Sequence, residues 1–188
     1  MTLLDEIVAE EGCVPHLYLD TRGNVTCGVG RLIRKSGELG NYAWSDFNAA
    51  LRDFSTLQQM ARDCKYGAKW PASRYRTEGP MLARMLNPRE GLAESIEAID
   101  KALTKRIPGL EQHPVSVQEA LIDMAYNLGV DGLVKGYPKM LTALAVPDYV
   151  WAADECHRNG VSSERNRRTA ERILKGNTLI GSRPGRGA

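Results

Sequence analysis

Long apolar runs, histidines and cysteine motifs are what this sequence has least of. It contains no apolar run of the roughly 18 residues that a membrane-spanning helix needs, and its acidic start is unlike the basic and then apolar start of a secretory signal. Its three histidines lie in no metal-ligand spacing, and its four cysteines show neither a CxxC pair nor the density of a disulfide scaffold. We therefore expect a protein made in the cytoplasm without a signal peptide, with free thiols, no metal and no stable membrane insertion.

The residues that are abundant describe a globular chain. Of the 188 residues, 43% are hydrophobic and 26% are charged, which suffices for one soluble unit with a proper core. The net charge of +2 conceals an asymmetry, because residues 1–11 carry four acids and no base, whereas residues 157–188 carry eight lysines and arginines against two glutamates. The C-terminal region is therefore expected to attract anions.

The chain opens with a predicted helix that ends on an acid. Over residues 2–11 apolar side chains recur at helical spacing, and Thr2 with Asp5 fits a capping box. The apolar stripe consists of Leu3, Leu4, Ile7 and Val8. At about 100° per residue, Glu11 falls on the azimuth of that stripe, whereas Glu10 lies roughly a quarter-turn away. We expect Glu11 to point at the core and Glu10 to border it; the alternative is that both are solvated helix-end carboxylates.

After Glu11 the pattern changes to that of a small sheet. Leu17–Asp20 and Val25–Val29 flank a turn at residues 22–24, which predicts a hairpin. A third short strand is expected at Arg31–Arg34. The sheet is therefore small and lies near the N-terminus.

The rest of the chain carries helical signals. Amphipathic stripes and capping residues predict helices over 47–60, 92–103, 116–128, 137–144, 149–157 and 163–174. The third of these is expected to start at a capping box of Ser116 and Glu119 and to end at Gly129. The tail from Gly181 is expected to fray. The layout is α+β, with a small β-hairpin lobe and a larger helical lobe.

The hairpin folds Asp20 and Thr26 back toward the end of the first helix, where Glu11 lies. A carboxyl on an apolar stripe favours the protonated form that a general acid needs, whereas a carboxyl on an open turn should stay ionised. A glycosidase works with two carboxyls whose environments give them different pKa values. One of them protonates the leaving oxygen, and the other supports the cationic sugar or activates water. Thr26 is a neutral group that could hold that water.

These residues also resemble a known signature. Glu11-Gly12 followed by DTRGNVTCGVG, residues 20–30, is similar in order, spacing and glycine placement to the catalytic signature of the phage-type lysozymes, those of T-even phages and their endolysin relatives. A weaker similarity extends to ALIDMAYNLGVDG, residues 120–132, which is similar to the family's buried central helix. RNRRTAERIL, residues 165–174, is similar to its arginine-rich late helix.

The resemblance implies a lysozyme-like fold with an active-site cleft between the two lobes. It also implies a muramidase that hydrolyses the β-1,4 bond between N-acetylmuramic acid and N-acetylglucosamine in peptidoglycan and needs no cofactor. Glu11 would be the general acid, Asp20 its partner, and Thr26 would place water. The further positions that it implies are Gly30, Arg31, Tyr126 and Asn127 as substrate contacts, and Arg167 or Arg168 as the cation near Glu11.

Two features depart from the family pattern. Family members usually have a histidine where this chain has Arg31. The arginine is also a basic hydrogen-bond donor, but unlike histidine it does not titrate near pH 7. The bridge between the two lobes, residues 36–85, is longer than in the compact members of the family. We expect a single domain, with the hairpin lobe at about 1–35, the helical lobe at about 86–180 and a tail at 181–188.

Some of the prominent residues have two interpretations. The bridge contains KYGAKWPASRYR, residues 65–76, in which aromatic residues alternate with cations: Tyr66, Trp70 and Tyr75 with Lys65, Lys69, Arg74 and Arg76. These residues either stack on sugars and meet an anionic wall, or form a loop anchored by Trp70 with solvated charges. Cys27 is expected to face the core, opposite Thr26. The late arginines, at 165, 167, 168 and 172, would by default be a solvated helix face.

Two alternative functions are kept beside the muramidase. A lytic transglycosylase would use the muramic acid's own hydroxyl in place of water, and Asp20 with Thr26 argues against it. A catalytically silent module that binds cell wall or nucleic acid is suggested by the basic C-terminal region. We expect peptidoglycan glycan strands to be the partner, no nucleic acid, and a monomer that acts on the wall in the periplasm after release or delivery.

Overall fold

The structure, a computed structural model, describes residues 2–63, 70–77, 79 and 81–180. The chain divides into two compact units, Met1–Leu92 and Ala93–Ala188. The architecture is α+β, as the sequence predicts: a three-stranded antiparallel sheet lies in the first unit, and helices form most of the rest. Among the described residues, no helix is long and apolar enough to cross a membrane.

The first helix, α1, spans Leu3–Glu11, and its predicted capping box is present. The backbone N–H of Asp5 donates to the Thr2 hydroxyl at 3.3 Å, and the N–H of Thr2 donates to the Asp5 carboxylate at 3.2 Å. Gly12 ends the helix with a φ of 75°, in the left-handed region that favours glycine. The chain then turns directly into the sheet.

The sheet has the order β1-β2-β3, with all neighbours antiparallel. Its strands are Val14–Leu19 (β1), Val25–Gly28 (β2) and Arg31–Leu32 (β3). The predicted hairpin is confirmed, although β1 begins earlier than expected and β3 ends before Arg34. The register pairs Tyr18 with Thr26 and Leu19 with Val25. Successive residues therefore face opposite sides of the sheet.

The core of the first unit joins the sheet to the segment that follows it. That segment forms a 3-10 helix at Ser36–Asn41, then α2 at Phe47–Arg62 and the short α3 at Arg74–Thr77. The buried cluster combines Leu17, Leu19, Val25, Cys27 and Ile33 of the sheet region with Trp44, Phe54, Leu57, Tyr75, Met81, Ala83 and Met85. Residues 36–85 thus supply a large part of this core.

A buried carboxylate ties an extended segment to α2. Asp53 is 2% exposed, and its Oδ2 accepts the N–H groups of Leu82 at 2.9 Å and Ala83 at 2.8 Å. Burial raises the pKa of Asp53, and the two hydrogen bonds oppose that rise. Extended backbone alternates its side chains, so Met81, Ala83 and Met85 are buried while Leu82, Arg84 and Leu86 are exposed.

From Leu92 onward the chain is helical. The helices are α4 at Leu92–Arg106, α5 at Val115–Leu128, α6 at Val130–Gly136, α7 at Pro138–Ala145, α8 at Tyr149–Asp154 and α9 at Ser163–Ile180, with a 3-10 turn at Leu110–Gln112. The predicted capping box of Ser116 and Glu119 is wrong, because α5 begins directly after Pro114 and Ser116 lies within its first turn. The predicted end at Gly129 is confirmed.

Four buried polar residues form a network in the second unit. Asp123 of α5 accepts Nη2 of Arg158 at 2.7 Å on one carboxylate oxygen, and Nε and Nη2 of Arg165 at 3.0 and 2.8 Å on the other. The Thr169 hydroxyl accepts a further N–H of Arg158 at 2.8 Å. All four residues are at most 5% exposed. One carboxylate therefore neutralises part of the charge of two buried guanidinium groups.

The stability of the fold depends on the protonation state of Asp123. Burial alone would raise the pKa of Asp123, but hydrogen bonds from Arg165 and the charges of Arg158 and Arg165 outweigh burial and hold this pKa below its ordinary value. A carboxyl whose folded pKa is lowered stabilises the fold fully above its unfolded pKa, about 3.9. That stabilisation is lost as the pH falls through the folded pKa.

We predict that Asp123→Asn lowers the free energy of unfolding by about 3 kcal/mol or more, because it leaves two buried guanidinium groups without a counter-charge. Urea denaturation followed by circular dichroism measures this loss. The matched control is Asp131→Asn, which removes an exposed ion pair with Arg106 and should change the free energy by less than about 1 kcal/mol.

The difference between the wild type and Asp123→Asn should also shrink below about pH 4, where the carboxyl begins to protonate in the unfolded chain while the folded protein still keeps it ionised. Equal losses in the two variants, or a difference that stays constant down to about pH 2, would contradict this account of the network.

Candidate active site

Asp20 closes the turn between β1 and β2 with its own side chain. Its Oδ1 accepts the backbone N–H groups of Arg22 and Asn24, each at 2.8 Å, and its Oδ2 accepts the Asn24 side-chain amide at 3.0 Å. An aspartate that binds backbone N–H groups further along the chain is a recurrent way to hold a tight turn. The orientation of the predicted catalytic carboxylate is therefore fixed by its own turn.

Thr26 lies on β2 opposite Tyr18 of β1, on the face of the sheet that points away from Cys27. Its side chain is 4% exposed, and its hydroxyl donates to the carbonyl oxygen of Asn24 at 3.1 Å. A hydroxyl has one proton to donate, so toward any further partner Thr26 acts as a hydrogen-bond acceptor.

The phenol of Tyr18 is affected by the charges of both predicted catalytic carboxyls. Burial raises the pKa of Tyr18 to about 12, and the neighbouring Cys27 and the negative charges of Asp20 and Glu11 add to that rise. Both carboxyls thus lie near enough to the phenol for their charges to act on it. Thr26 is paired with Tyr18 across the hairpin, and the charges of Asp20 and Glu11 act on the same phenol.

Glu11 is the last residue of α1 and is half-buried. Of the apolar stripe on α1, Ile7 is fully buried while Leu4 is 41% exposed. Glu10 is half-buried too, so exposure does not separate the two acids. The charge of Glu11 acts on Tyr18.

Two glycines shape the end of β2 beside this face. Gly28 has a φ of 58°, and a Cβ atom there would lie 2.6 Å from the carbonyl oxygen of Pro88, so the position requires glycine. Gly30 has a φ of 63° and is exposed, with no atom within 4 Å of the place of a Cβ. Its backbone is therefore open to a ligand, as the predicted sugar contact requires.

Arg31, the residue that departs from the family pattern, binds the chain itself. Its Nη1 donates to the carbonyl oxygen of Gly91 at 2.7 Å, and its guanidinium carbon lies 5.4 Å from the ring centre of Tyr42. A Cβ atom at Gly91 would lie 2.5 Å from that Nη1. Arg31 thus holds β3 to the segment that ends the first unit.

The remaining candidate residues belong to the second unit. Tyr126 is half-buried and Asn127 is exposed, both near the end of α5. Arg165 is 5% exposed and bound to Asp123, so the interpretation of the late arginines as a solvated face is wrong for this one. Arg172 is also largely covered, with its Nε 3.6 Å from Glu119.

The two arginines predicted as the supporting cation pair with acids of their own helix. Arg167 is exposed and donates to Glu164 at 2.7 Å and to Glu171. Arg168 is half-buried, and its Nη1 lies 3.5 Å from the carboxylate of Glu164. Glu164 thus lies between the two guanidinium groups.

Cys27 faces the core, as predicted. It is fully buried, and burial raises the pKa of its thiol to about 12. Cys13 and Cys156 are also free thiols, the first half-buried and the second buried. His16 is buried with its Nε2 2.8 Å from the Ala72 carbonyl oxygen, and burial lowers the pKa of this ring. These residues serve packing.

The aromatic segment of the bridge is partly internal. Tyr75 is fully buried, so of the two interpretations the stacking of its ring on a sugar does not fit this residue. Trp70 is half-buried, its ring centre lies 5.5 Å from that of Tyr75, and the Arg74 guanidinium carbon sits 4.5 Å above it. The anchored loop is therefore the interpretation that fits these residues. Lys65, Tyr66 and Lys69 lie outside the described residues.

Sequence reasoning missed two residues of the site, Tyr18 and Asn24. Tyr18 precedes Asp20 by two positions on a strand, and period-two alternation places such residues on one face. Asn24 lies in the turn, where its side-chain amide is within reach of the aspartate that opens it. Both signals were local and readable in the sequence.

Within the described residues, no group of three or more histidine, cysteine, aspartate or glutamate side chains is placed to hold a metal ion. Compared with known protein families and with curated proteins, the chain matches no family model and no curated sequence.

We predict that Cys27 reacts with a thiol reagent far more slowly than Cys13 in the native protein, because burial keeps its thiol protonated and covered. Mass spectrometry of labelled peptides measures the two rates. In denaturant all four cysteines should react without prior reduction, and dithiothreitol should leave the melting temperature unchanged. Fewer than four reactive thiols would reveal a disulfide.

Proposed function

We propose that this protein is a peptidoglycan muramidase of the phage lysozyme type. It hydrolyses the β-1,4 bond between N-acetylmuramic acid and N-acetylglucosamine, with Glu11 as general acid and Asp20 with Thr26 activating and placing the water. The observation that carries the proposal is the pairing of Thr26 with Tyr18 across the hairpin, together with the action of both carboxyl charges, those of Asp20 and Glu11, on that phenol.

In this mechanism Glu11 donates its proton to the glycosidic oxygen as the bond to the sugar breaks. The cationic sugar that forms is attacked by a water molecule, whose proton passes to Asp20. The products are two shorter glycan strands, and a proton returns from Asp20 to Glu11 through solvent. The reaction consumes one water and needs no cofactor.

The hydrogen bonds at the hairpin suit Asp20 and Thr26 to the water step. Because the Thr26 hydroxyl already donates to Asn24, it accepts one hydrogen of the water, while the carboxylate of Asp20 accepts the other. The carboxylate itself is held by Arg22 and Asn24. A fixed acceptor pair presents the oxygen of the water to the sugar, which lowers the entropy lost on the way to the transition state.

Other residues are assigned lesser roles. Gly30 offers open backbone to the sugar, and Tyr126 with Asn127 is proposed to contact the glycan. Arg31 is proposed as a substrate contact as well, with its guanidinium held in place by the hydrogen bond from Nη1 to Gly91. Arg167 and Arg168 remain the proposed supporting cations. The protein is proposed to act as a monomer on the wall, after release from the cytoplasm, without nucleic acid or membrane as a partner.

We predict that Glu11→Gln lowers wall-lytic activity by at least about 100-fold, because it removes the proton donor while keeping the shape of the side chain. Loss of turbidity of purified peptidoglycan measures the activity. The free energy of unfolding should change by less than about 1 kcal/mol, since a half-exposed charge contributes little to stability. The matched control is Glu10→Gln, also half-buried on α1, whose activity should stay within a few-fold of the wild type.

Near-normal lysis by a folded Glu11→Gln protein would remove Glu11 from the mechanism. Loss of lysis at Glu10→Gln instead would assign the acid to the other member of the pair. If the wild type causes no turbidity loss at all, the chain is a binding module and not an enzyme.

We predict that hydrolysis inverts the anomeric centre, because a water molecule held by Thr26 and Asp20 attacks the face opposite the leaving oxygen. Proton NMR of the first products distinguishes α from β reducing ends before they interconvert. A retained β product would make Asp20 a nucleophile. Products that end in anhydromuramic acid by mass spectrometry would show the transglycosylase reaction.

A further inference from the structure

The side chain of Asn24 makes a contact that the turn between β1 and β2 does not require. Main-chain bonds already close this turn, because the N–H of Asp20 donates to the carbonyl oxygen of Asn24 and the N–H of Gly23 donates to that of Asp20, each at 2.9 Å. Of residues 20–24, all of which the structure describes, only Gly23 has a positive φ, 79°. Position 24 is exposed and open to many residues. Its amide therefore needs an explanation other than the fold of the turn.

Asn24 contacts both members of the pair that is proposed to place the water. Its carbonyl oxygen accepts the proton of the Thr26 hydroxyl at 3.1 Å. Its side-chain amide donates to Oδ2 of Asp20 at 3.0 Å and, more distantly, to Oδ1 at 3.3 Å. One residue thus fixes the direction of the Thr26 hydroxyl and the plane of the Asp20 carboxylate.

The donors are divided unevenly between the two oxygens of this carboxylate. Oδ1 accepts the backbone N–H groups of Arg22 and Asn24 at 2.8 Å as well as the more distant amide. Oδ2 accepts the amide of Asn24, its one hydrogen bond within the described part of the chain. An ionised carboxylate offers about four acceptor positions, shared equally by its oxygens. Oδ1 is therefore filled, whereas Oδ2 keeps a position for a water molecule.

We propose that Asn24 is a positioning residue for the water step and that Oδ2 is the atom of Asp20 that takes the proton, an inference that rests on the proposed muramidase function. The amide holds the carboxylate so that the open position of Oδ2 meets the water bound by Thr26. In the step, an O–H bond of the water breaks and its proton passes to Oδ2. The water oxygen forms the new bond to the cationic sugar carbon. Asn24 itself does not touch the sugar.

The first test is Asn24→Ala, which removes the amide and keeps the main-chain bonds of the turn. Its kcat on soluble, uncross-linked peptidoglycan oligomers should fall at least about tenfold, the size expected for a hydrogen bond to a charged group. Its KM should stay within about twofold of the wild type, because the lost contact is not made with the substrate. Chromatography of the products measures both constants. The matched control is Thr21→Ala, an exposed residue of the same turn that no step uses, and it should behave as the wild type does.

The second test is Asn24→Asp, which keeps the shape of the side chain and distinguishes positioning from a role in folding. Near neutral pH the introduced carboxylate donates no hydrogen bond and repels the carboxylate of Asp20. Once protonated, it again donates a hydrogen bond to Oδ2. Activity relative to the wild type at the same pH should therefore be lowest near pH 7 and recover severalfold as the pH is lowered to about 5. A residue that serves the turn alone gives no such recovery.

A kcat of Asn24→Ala close to that of the wild type, a change in KM alone, or an Asn24→Asp activity without acid recovery would overturn the proposal. Circular dichroism and thermal melting show whether each variant folds, and a loss of activity that follows a loss of folded protein also counts against it. The proposed function fails differently. If the wild type leaves the oligomers intact, the muramidase and this role of Asn24 are both refuted, whereas cleavage that the two variants share with the wild type refutes the role of Asn24 alone.

Discussion

The hydrogen bonds that the Asp20 carboxylate accepts from its own turn set the alignment on which the candidate site depends. They fix how β1 meets β2, and that register places Thr26 beside Tyr18 while Cys27 enters the core. A slip of one residue would exchange the two faces of β2. The Cys27 thiol would then lie beside Tyr18, in place of the Thr26 hydroxyl that is proposed to hold the water. The Asp20 side chain thus determines both the register of the hairpin and the placement of the candidate site residues on it.

The two units each contain a buried carboxylate, and the two illustrate opposite electrostatic outcomes. Asp53 is bound by neutral backbone N–H groups, and the loss of hydration prevails, so its pKa is raised. Asp123 is bound by two cations, and their charges prevail over a similar loss, so its pKa is lowered. Burial alone therefore does not decide the protonation of a carboxyl; the charge of its donors does. The Asp53 site holds a segment of backbone, whereas the Asp123 site joins distant helices.

Local signals predicted much of this structure. Thr2 with Asp5 marked the start of α1, the glycine-containing turn marked the hairpin, and Gly129 marked the end of α5. The start of α5 was missed because the restricted backbone of Pro114 lets the chain enter the helix one residue before the serine that looked like a cap. The partnership of Asp123 with Arg158 was not readable, because 35 residues separate the two and no periodic pattern connects them. Exposure of Leu4 likewise depends on packing between elements, which helical spacing does not contain.

The extended segment at residues 81–86 shows how unevenly the first unit can tolerate change. Its inward side chains fill the same core as the sheet and α2, and Asp53 grips its backbone through two N–H groups. The outward positions 82, 84 and 86 do not enter the core, so side chains of other size and polarity fit there. At the inward positions 81, 83 and 85, a substitution that alters side-chain volume requires a compensating change in core neighbours such as Phe54 and Leu57. Removal of this segment would leave the interior beneath the hairpin unfilled, so the segment is an integral part of the first unit and not a removable insertion.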